Sequence, residues 1–261
     1  MTQQTPEEQN KCTYCEKPGE GTSYIIKGSK NYIVLYPQSR GALDLIAASI
    51  VPYKHTSNLV ALLFSPEGYT EHFKMVNLVT KTVREVFGAK GFKVRMMLEI
   101  INSSKEQPLF HLHTVIQALS ESSELAAGSE NCPLCNPPAG DLIQRFDKDF
   151  TMMGGGAAED EDYGPHMILA PQRHIQYLEQ CDAQFFSHLA ICMQTQGRMF
   201  SAPYIDIRMH ENEEAKKGHF HAHIHNRWQW TYPSPREKGK LSSEELEYLD
   251  QVGKKLSEAL R

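Results

Sequence analysis

Apolar positions along the chain fall into short strand-length runs, interrupted once in each half by a longer stretch of helical character. Tyr32 to Tyr36 (YIVLY) and Ala48 to Pro52 have the length and composition of strands. From Thr70 to Phe87 the apolar residues recur as Phe73, Val76, Val79, Val83 and Val86, spacings that put them on one face of a helix. Lys93 to Ile101 and Leu109 to Ile116 read as two more strands. The second half follows the same plan, with a strand at Met167 to Ala170, a helix at Ala183 to Phe200, and strands at Tyr204 to Met209 and His219 to His225. Gly154-Gly155-Gly156 and the acidic residues that follow to Asp162 read as a loop. Ser242-Ser243-Glu244-Glu245 is a capping box that opens a C-terminal helix running to about Leu260. The pattern predicts an α+β chain whose halves are each a mostly antiparallel sheet with helical cover.

The residues able to bind metal repeat with the pattern. The first half contains, in order, Cys12, Cys15, His55, His111 and His113, and the second contains Cys132, Cys135, His174, His219, His221 and His223. Their surroundings repeat too. Ile50-Val51-Pro52-Tyr53-Lys54-His55 echoes Leu169-Ala170-Pro171-Gln172-Arg173-His174, and Val94-Arg95-Met96 echoes Ile207-Arg208-Met209. An ordered set of this kind argues for duplication of one module. Ser120 to Asn131 is polar with little to bury, as expected of a linker. The predicted units are therefore 11–119, 131–230 and a C-terminal helix within 241–261.

Composition narrows the function. Hydrophobic residues make up 40% and charged residues 23% of the 261, with a formal net charge of −5. A chain of that charge is not an electrostatic nucleic-acid binder, so any phosphate binding must come from a local site. No apolar run approaches the ~18–20 residues of a membrane span. Met1 to Asn10 is polar, carries Glu7 and Glu8, and reads as a disordered lead rather than a signal peptide, so the expected location is the cytoplasm. In that setting Cys-x-x-Cys pairs point to metal rather than to disulfides. Cys181 and Cys192 read as core residues of a helical region, and His72 and His188 as surface or internally satisfied helix histidines.

Zinc favours four ligands in a closed tetrahedral site, and a Cys-x-x-Cys turn supplies two of them from one short loop. Two structural zinc ions are expected, one held by Cys12, Cys15, His55 and His111, the other by Cys132, Cys135, His174 and His219. The segment Gly218-His219-Phe220-His221-Ala222-His223-Ile224-His225 holds a row of alternating histidines. In a strand all four point to one face, about 6.6 Å apart along the chain. Such a row can hold a metal, shuttle protons, or present a nucleophilic imidazole beside one that stabilises phosphate. A purely structural strand would place Val or Ile there.

These residues resemble the histidine-triad (HIT) superfamily, and most closely its zinc-containing members. The second half reads Cys132-Pro-Leu-Cys135, then Gly164-Pro-His166-Met-Ile-Leu-Ala-Pro171-Gln-Arg-His174, and ends in His219-Phe-His221-Ala-His223-Ile-His225-Asn-Arg227. The resemblance covers about residues 11–117 and 131–228. Its tandem form is similar to the galactose-1-phosphate uridylyltransferases and the dinucleoside polyphosphate phosphorylases, although this chain is shorter than typical members of either group.

The resemblance implies chemistry on nucleotides, by transfer or by hydrolysis. By position, His221 is the nucleophile that attacks the α-phosphorus and becomes a covalent nucleotidyl-histidine, which water or a second phosphate resolves. His223 supports the reacting phosphate, and His219 is the zinc ligand. Arg208, His210 and Asn212 stand where phosphate contacts arise. Where the family has a polar pair, this chain has Ala215-Lys216-Lys217-Gly218, and Lys216 and Lys217 either neutralise phosphate or form a solvated turn. In the first half, Gln107-Pro108-Leu109-Phe110-His111-Leu112-His113 keeps two histidines, while Val115 occupies the third position. That half is expected to be mainly structural, with His113 helping to shape the pocket. The implied partner is a nucleotide or nucleotide sugar, and the assembly either a pseudo-twofold monomer or a homodimer. The competing readings are a zinc-stabilised binding or scaffold module without catalysis, and a hydrolase that uses the histidine row as a catalytic metal site.

Overall fold

The computed structural model describes residues 24–27, 31–37, 46–54, 66–99, 112–119, 132–138, 141–154, 166–201, 204–211, 218–227 and 243–259. In chain order the elements are β1 (Tyr24–Lys27), β2 (Asn31–Pro37), β3 (Ile46–Pro52), α1 (Pro66–Phe87), β4 (Gly91–Glu99) and β5 (Thr114–Leu119). They continue with β6 (Leu142–Arg145), β7 (Asp149–Gly154), β8 (His166–Pro171), a 3-10 turn (Leu178–Gln180), α2 (Ala183–Phe200), β9 (Tyr204–His210), β10 (His221–Arg227) and α3 (Ser243–Ala259).

Local chemistry sets the ends of these elements. Pro66 opens α1, where its missing N–H costs nothing. This lengthens the helix beyond the expected Thr70 start, because residues before Phe73 carry no apolar stripe. Gly88, at φ 68°, closes it, donating its N–H to the Arg84 carbonyl at 3.0 Å. Asp182 caps α2 by accepting from the N–H groups of Gln184 and Phe185 at 3.0 and 3.1 Å. The expected bounds of α2 match the structure, and the main strands match to within about two residues except β5, which starts at Thr114 rather than Leu109; Leu109 to His111 lie outside the described residues. Three strands were not foreseen. β1 and β6 are only four residues long, and β7 ends in Gly154, the residue that opens the glycine run. The histidine strand starts at His221, and His219 lies ahead of it. Residues 155–162 of the expected loop, and Ser242 of the capping box, lie outside the described residues.

All ten strands form one antiparallel sheet in the order β1-β2-β3-β5-β4-β9-β10-β8-β7-β6. That order is a palindrome of the repeat, and the registers repeat with it. Ile50 faces Thr114 in the first half as Leu169 faces Ala222 in the second. Arg95 faces Val115 as Arg208 faces His223. At the centre Arg95 faces Arg208, its own repeat-mate, so the pseudo-twofold axis passes between these two residues. The two halves are thus tandem modules of one antiparallel α+β plan, joined edge to edge along β4 and β9.

One face of the sheet is apolar. Phe92, Val94 and Met96 of β4, Ile205, Ile207 and Met209 of β9, and Ala222 and Ile224 of β10 are all buried in one core. The helices cover this face, with α1 over β3 and β5, α2 over β8 and β10, and α3 over β1 and β2. Phe73 of α1 stacks on Phe186 of α2 with centroids 4.1 Å apart, joining the two covers. Each fully buried Leu, Ile or Phe stabilises the fold by roughly 1.5–3 kcal/mol. Because side chains alternate along a strand, the residues between them emerge on the opposite face: Lys93 and Arg95, Asp206, Arg208 and His210, and His221, His223 and His225.

The two helix histidines are buried, so the surface reading of them is corrected; both are satisfied internally. His72 of α1 bonds Asn31 Oδ1 through Nδ1 at 3.1 Å and Thr114 Oγ1 through Nε2 at 2.7 Å. His188 of α2 pairs with Asp149. Asn31 and Asp149 face Pro52 and Pro171 in matching registers, so each module pins its helix to its sheet with one buried histidine. As expected, Cys192 is a core residue, whereas Cys181 follows the 3-10 turn and is only partly buried.

Burial, and after it the nearby His113, lowers the His72 pKa to about 4. The folded state therefore binds fewer protons than the unfolded chain below pH ~6.5. Stability from this group is full above that pH and is lost as pH falls from ~6.5 toward 4, at about 1.4 kcal/mol per pH unit. Urea midpoints measured between pH 7 and pH 5 are expected to fall more steeply for the native chain than for His72→Gln. Equal slopes would show that His72 charges without penalty.

Candidate active site and metal centre

The Cys-x-x-Cys turn is held by the N–H groups of Cys135 and Asn136, which both donate to the Cys132 carbonyl at 3.1 Å. Leu134 and Cys132 pack against Phe150, Met152, Ile168 and Ala170, which seats the turn on the sheet face that bears the histidines. His174 arrives three residues after β8, and His219 two residues before β10. Cys135 Sγ lies 3.2 Å from His174 Nδ1 and 3.5 Å from His219 Nδ1, and Cys132 Sγ lies 3.5 Å from His219 Nδ1. The four ligand atoms fall within 4.8 Å of one another, so the cluster can hold a metal ion.

The protonation pattern fits a cation. His219 Nε2 donates to the Pro171 carbonyl at 3.0 Å, an assignment that leaves the Nδ1 lone pair facing the sulfurs. Burial, then His174, lowers the His219 pKa to about 4, and burial lowers that of His174. The Cys135 thiol is pushed up to about 12 by burial and by Cys132. Two neutral imidazoles and a Cys135 thiol that resists ionisation leave a site where a divalent cation would supply the missing positive charge. The equivalent residues Cys12, Cys15, His55 and His111 lie outside the described residues.

Beside this cluster the histidines form a chain of contacts. His221 Nδ1 lies 2.9 Å from the His219 carbonyl, His221 Nε2 lies 3.0 Å from His223 Nε2, and His223 Nδ1 lies 2.9 Å from His166 Nε2. A carbonyl only accepts, so His221 carries its proton on Nδ1. Its Nε2 lone pair then accepts from His223 Nε2–H, and His223 Nδ1 in turn accepts from His166. One backbone carbonyl thus sets the tautomer of three rings. His225 stacks on His166 with centroids 4.4 Å apart, and His210 lies 5.6 Å from His221 and 5.2 Å from His223.

Burial, with the surrounding histidines, drives the His223 pKa far down, and burial followed by His166 and Arg208 lowers that of His225 to about 3. Both are neutral at physiological pH. His221 is fully buried, and His223 is the partly exposed member of the pair. The arrangement can present a neutral imidazole lone pair at one atom and an N–H donor beside it.

Of the residues singled out by sequence, His221, His223, Arg208 and His210 come together on this face. His113 does not. It is buried ahead of β5, near His72, three strands from His221 or about 14 Å at the usual strand spacing. Asn212, Lys216 and Lys217 lie outside the described residues. Sequence reasoning assigned no role to His166 or Arg95. His166 appears in the motif around Pro171, but only the β8–β10 register brings it against His223. Arg95 Nε and Nη2 bond Asp206 at 2.9 and 2.8 Å, and Arg208 Nε bonds the same carboxylate at 3.2 Å. The echo between Arg95 and Arg208 was the available signal.

A second clasp joins the modules. Arg84 of α1 pairs with Glu179 at 2.7 Å and Glu211 at 2.8 Å, with its guanidinium over the Tyr177 ring. Glu211 directly follows His210 and accepts the Leu178 N–H at 2.8 Å, which fixes the end of β9.

By sequence, no family model and no curated protein matches the chain. Solved structures do. A GalT-like protein from Arabidopsis thaliana superposes with a TM-score of 0.61 at 13% identity, over 95% of this chain and 92% of its own. An ADP-glucose phosphorylase from Arabidopsis thaliana, with bound ADP-glucose, gives 0.58 at 11% identity over 98% and 92%. A uridylyltransferase mutant gives 0.56 at 15% identity over 97% and 93%. The chain therefore shares the overall fold of these three proteins along nearly its whole length. At these identities the likeness is one of fold.

Proposed function

We propose that the protein is a nucleotidyltransferase or nucleotide hydrolase that acts on an α-phosphate through a covalent nucleotidyl-His221. The observation that carries this reading is the contact of His221 Nδ1 with the His219 carbonyl, which aims a neutral Nε2 lone pair toward His223. A phosphate entering beside the partly exposed His223 takes over the His223 Nε2–H bond and frees that lone pair. Nε2 then attacks phosphorus, the bond to the leaving group breaks with its electron pair, and the departing oxygen takes any proton it needs from water while the neutral His223 holds a phosphoryl oxygen through its Nε2–H hydrogen bond. An acceptor, water or phosphate, attacks the same phosphorus, and the P–N electrons return to Nε2. Cys132, Cys135, His174 and His219 would hold a structural zinc, whose chemistry here is to fix the backbone of His219. Cys12, Cys15, His55 and His111 would hold a second.

The neighbours support a nucleotide or nucleotide sugar as substrate, since they include a uridylyltransferase and a phosphorylase with bound ADP-glucose. The duplicated sheet supplies its own twofold, which supports a single chain as the working unit. The reading is tested by incubating the protein with nucleoside phosphoramidates, dinucleoside polyphosphates and sugar nucleotides. Released nucleoside monophosphate is quantified, and the His221 peptide is searched for a nucleotidyl adduct. Intact substrates and no adduct, with metal still bound, would replace this reading by that of a binding or scaffold module.

A further inference from the structure

By contact, the row of histidines divides between two clusters. His219 turns to Cys132 and Cys135, and His221 is held between the His219 carbonyl and His223. His223 and His225 instead meet His166 of β8. The β8–β10 register pairs Met167 with Ile224, which sets His166 opposite His225 and diagonal to His223. Ring centroids are 4.4 Å apart for His166 and His225, 5.0 Å for His166 and His223, and 5.6 Å for His223 and His225. One nitrogen from each of the three lies within 4.8 Å of the other two. His166 and His225 are buried, whereas His223 is partly exposed and opens the cluster to the surface. Neither the zinc-type cluster nor attack by His221 uses His225.

We infer that His166, His223 and His225 form a further metal site in the second module, separate from the Cys2His2 cluster, for a divalent transition ion such as zinc, cobalt or copper. Imidazole nitrogen suits such ions, whereas magnesium and calcium need oxygen ligands. His223 Nδ1 and His166 Nε2 lie 2.9 Å apart. Two ligands ~2.1 Å from a tetrahedral ion stand about 3.4 Å apart, so this pair has to open by only about half an ångström. The other separations, within 4.8 Å, have to close by at most about 1.4 Å, which the rings cover by turning about their side-chain torsions. The ion replaces the proton shared by the facing nitrogens. His166 moves its proton from Nε2 to Nδ1, so both facing nitrogens present lone pairs and no proton leaves the pair. His223 keeps its proton on Nε2, the nitrogen that faces His221. Three nitrogens leave the fourth position to water, and without thiolates the ion is held less tightly than at the Cys2His2 cluster. The site stands or falls independently of the function proposed above, because binding is read without turnover.

The full-length chain, saturated with zinc and then treated with a chelator too weak to strip thiolate-held ions, would be titrated with cobalt(II) by calorimetry and visible absorption. One further cobalt ion per chain is expected, with ligand-field bands but without thiolate-to-cobalt charge transfer. His225→Gln and His166→Gln should each weaken that binding at least about 100-fold, because losing a ligand costs more than the roughly 10- to 100-fold lost with a group that only orients one. Zinc content equal to that of the native chain shows that the Cys2His2 cluster, and the fold around it, survives in both variants. Excess magnesium should not compete. Cobalt bound with unchanged strength in either variant, or no cobalt bound beyond the thiolate sites, would overturn the site. Pulsed electron paramagnetic resonance of copper(II) on the native chain reads the same ligands without any substitution. Coupling to the remote nitrogens of three imidazoles is expected, and coupling to fewer would also overturn it.

Discussion

His221→Ala is expected to lower kcat/KM at least about 10³-fold and to abolish the nucleotidyl adduct, because no other group takes over a lost nucleophile in a fixed site. The substitution removes the Nε2 atom and also the ring that accepts from His223 Nε2–H. His223→Ala leaves the nucleophile but removes the Nε2–H that holds the reacting phosphate, for which a loss of about 10²–10³-fold is expected. The two variants separate by what accumulates. With a good leaving group, His223→Ala should still form the adduct, whereas His221→Ala should not. Persistence of the adduct in His221→Ala would assign the nucleophile elsewhere and sink the mechanism. Because His221 is fully buried, melting curves of both variants must accompany the kinetics.

How much of this was legible in the sequence depended on whether the signal was local. The helical stripe from Phe73 to Val86 and the Pro-x-x-His echo at His55 and His174 are local patterns, and both gave elements or repeat-mates directly. The zinc-type cluster of the second module was legible because its ligand types and spacing are chemically restrictive. Registers were not legible. Arg95 and Arg208 were seen as echoes, but that they face each other across the pseudo-twofold follows only from the β4–β9 pairing. His166 stood in view without a role because its partner His223 lies 57 residues away. For the same reason His72 and His188 could be read only as surface or internally satisfied histidines: the partners Asn31 and Asp149 that decide between the two come from distant strands. β1 and β6 are too short to carry a period of two that can be told from chance.

Removing metal from the Cys132, Cys135, His174 and His219 cluster is expected to weaken both the fold and the chemistry. The ligands come from three segments far apart in the chain, and the turn that carries Cys132 packs Leu134 into a small satellite core with Phe150 and Ile168. A metal there closes long loops as well as neutralising the thiolates. Small zinc domains derive about 10–16 kcal/mol from their ion, but this chain keeps a large core on the other face of the sheet, so a smaller loss of about 3–5 kcal/mol is expected. For a chain of this size that loss lowers Tm by roughly 10 °C. Activity should fall with it, because the same ligand set anchors His219, whose carbonyl sets the His221 tautomer. Binding should release about two protons per ion near neutral pH, since both cysteines ligate as thiolates. Calorimetry in two buffers of different ionisation heat reads that release, and metal analysis of Cys135→Ala should show one ion fewer than the native chain. An apo-protein with unchanged Tm and unchanged turnover would mean that the Cys2His2 cluster is a reduced, hydrogen-bonded turn and that His221 is oriented by the strand alone.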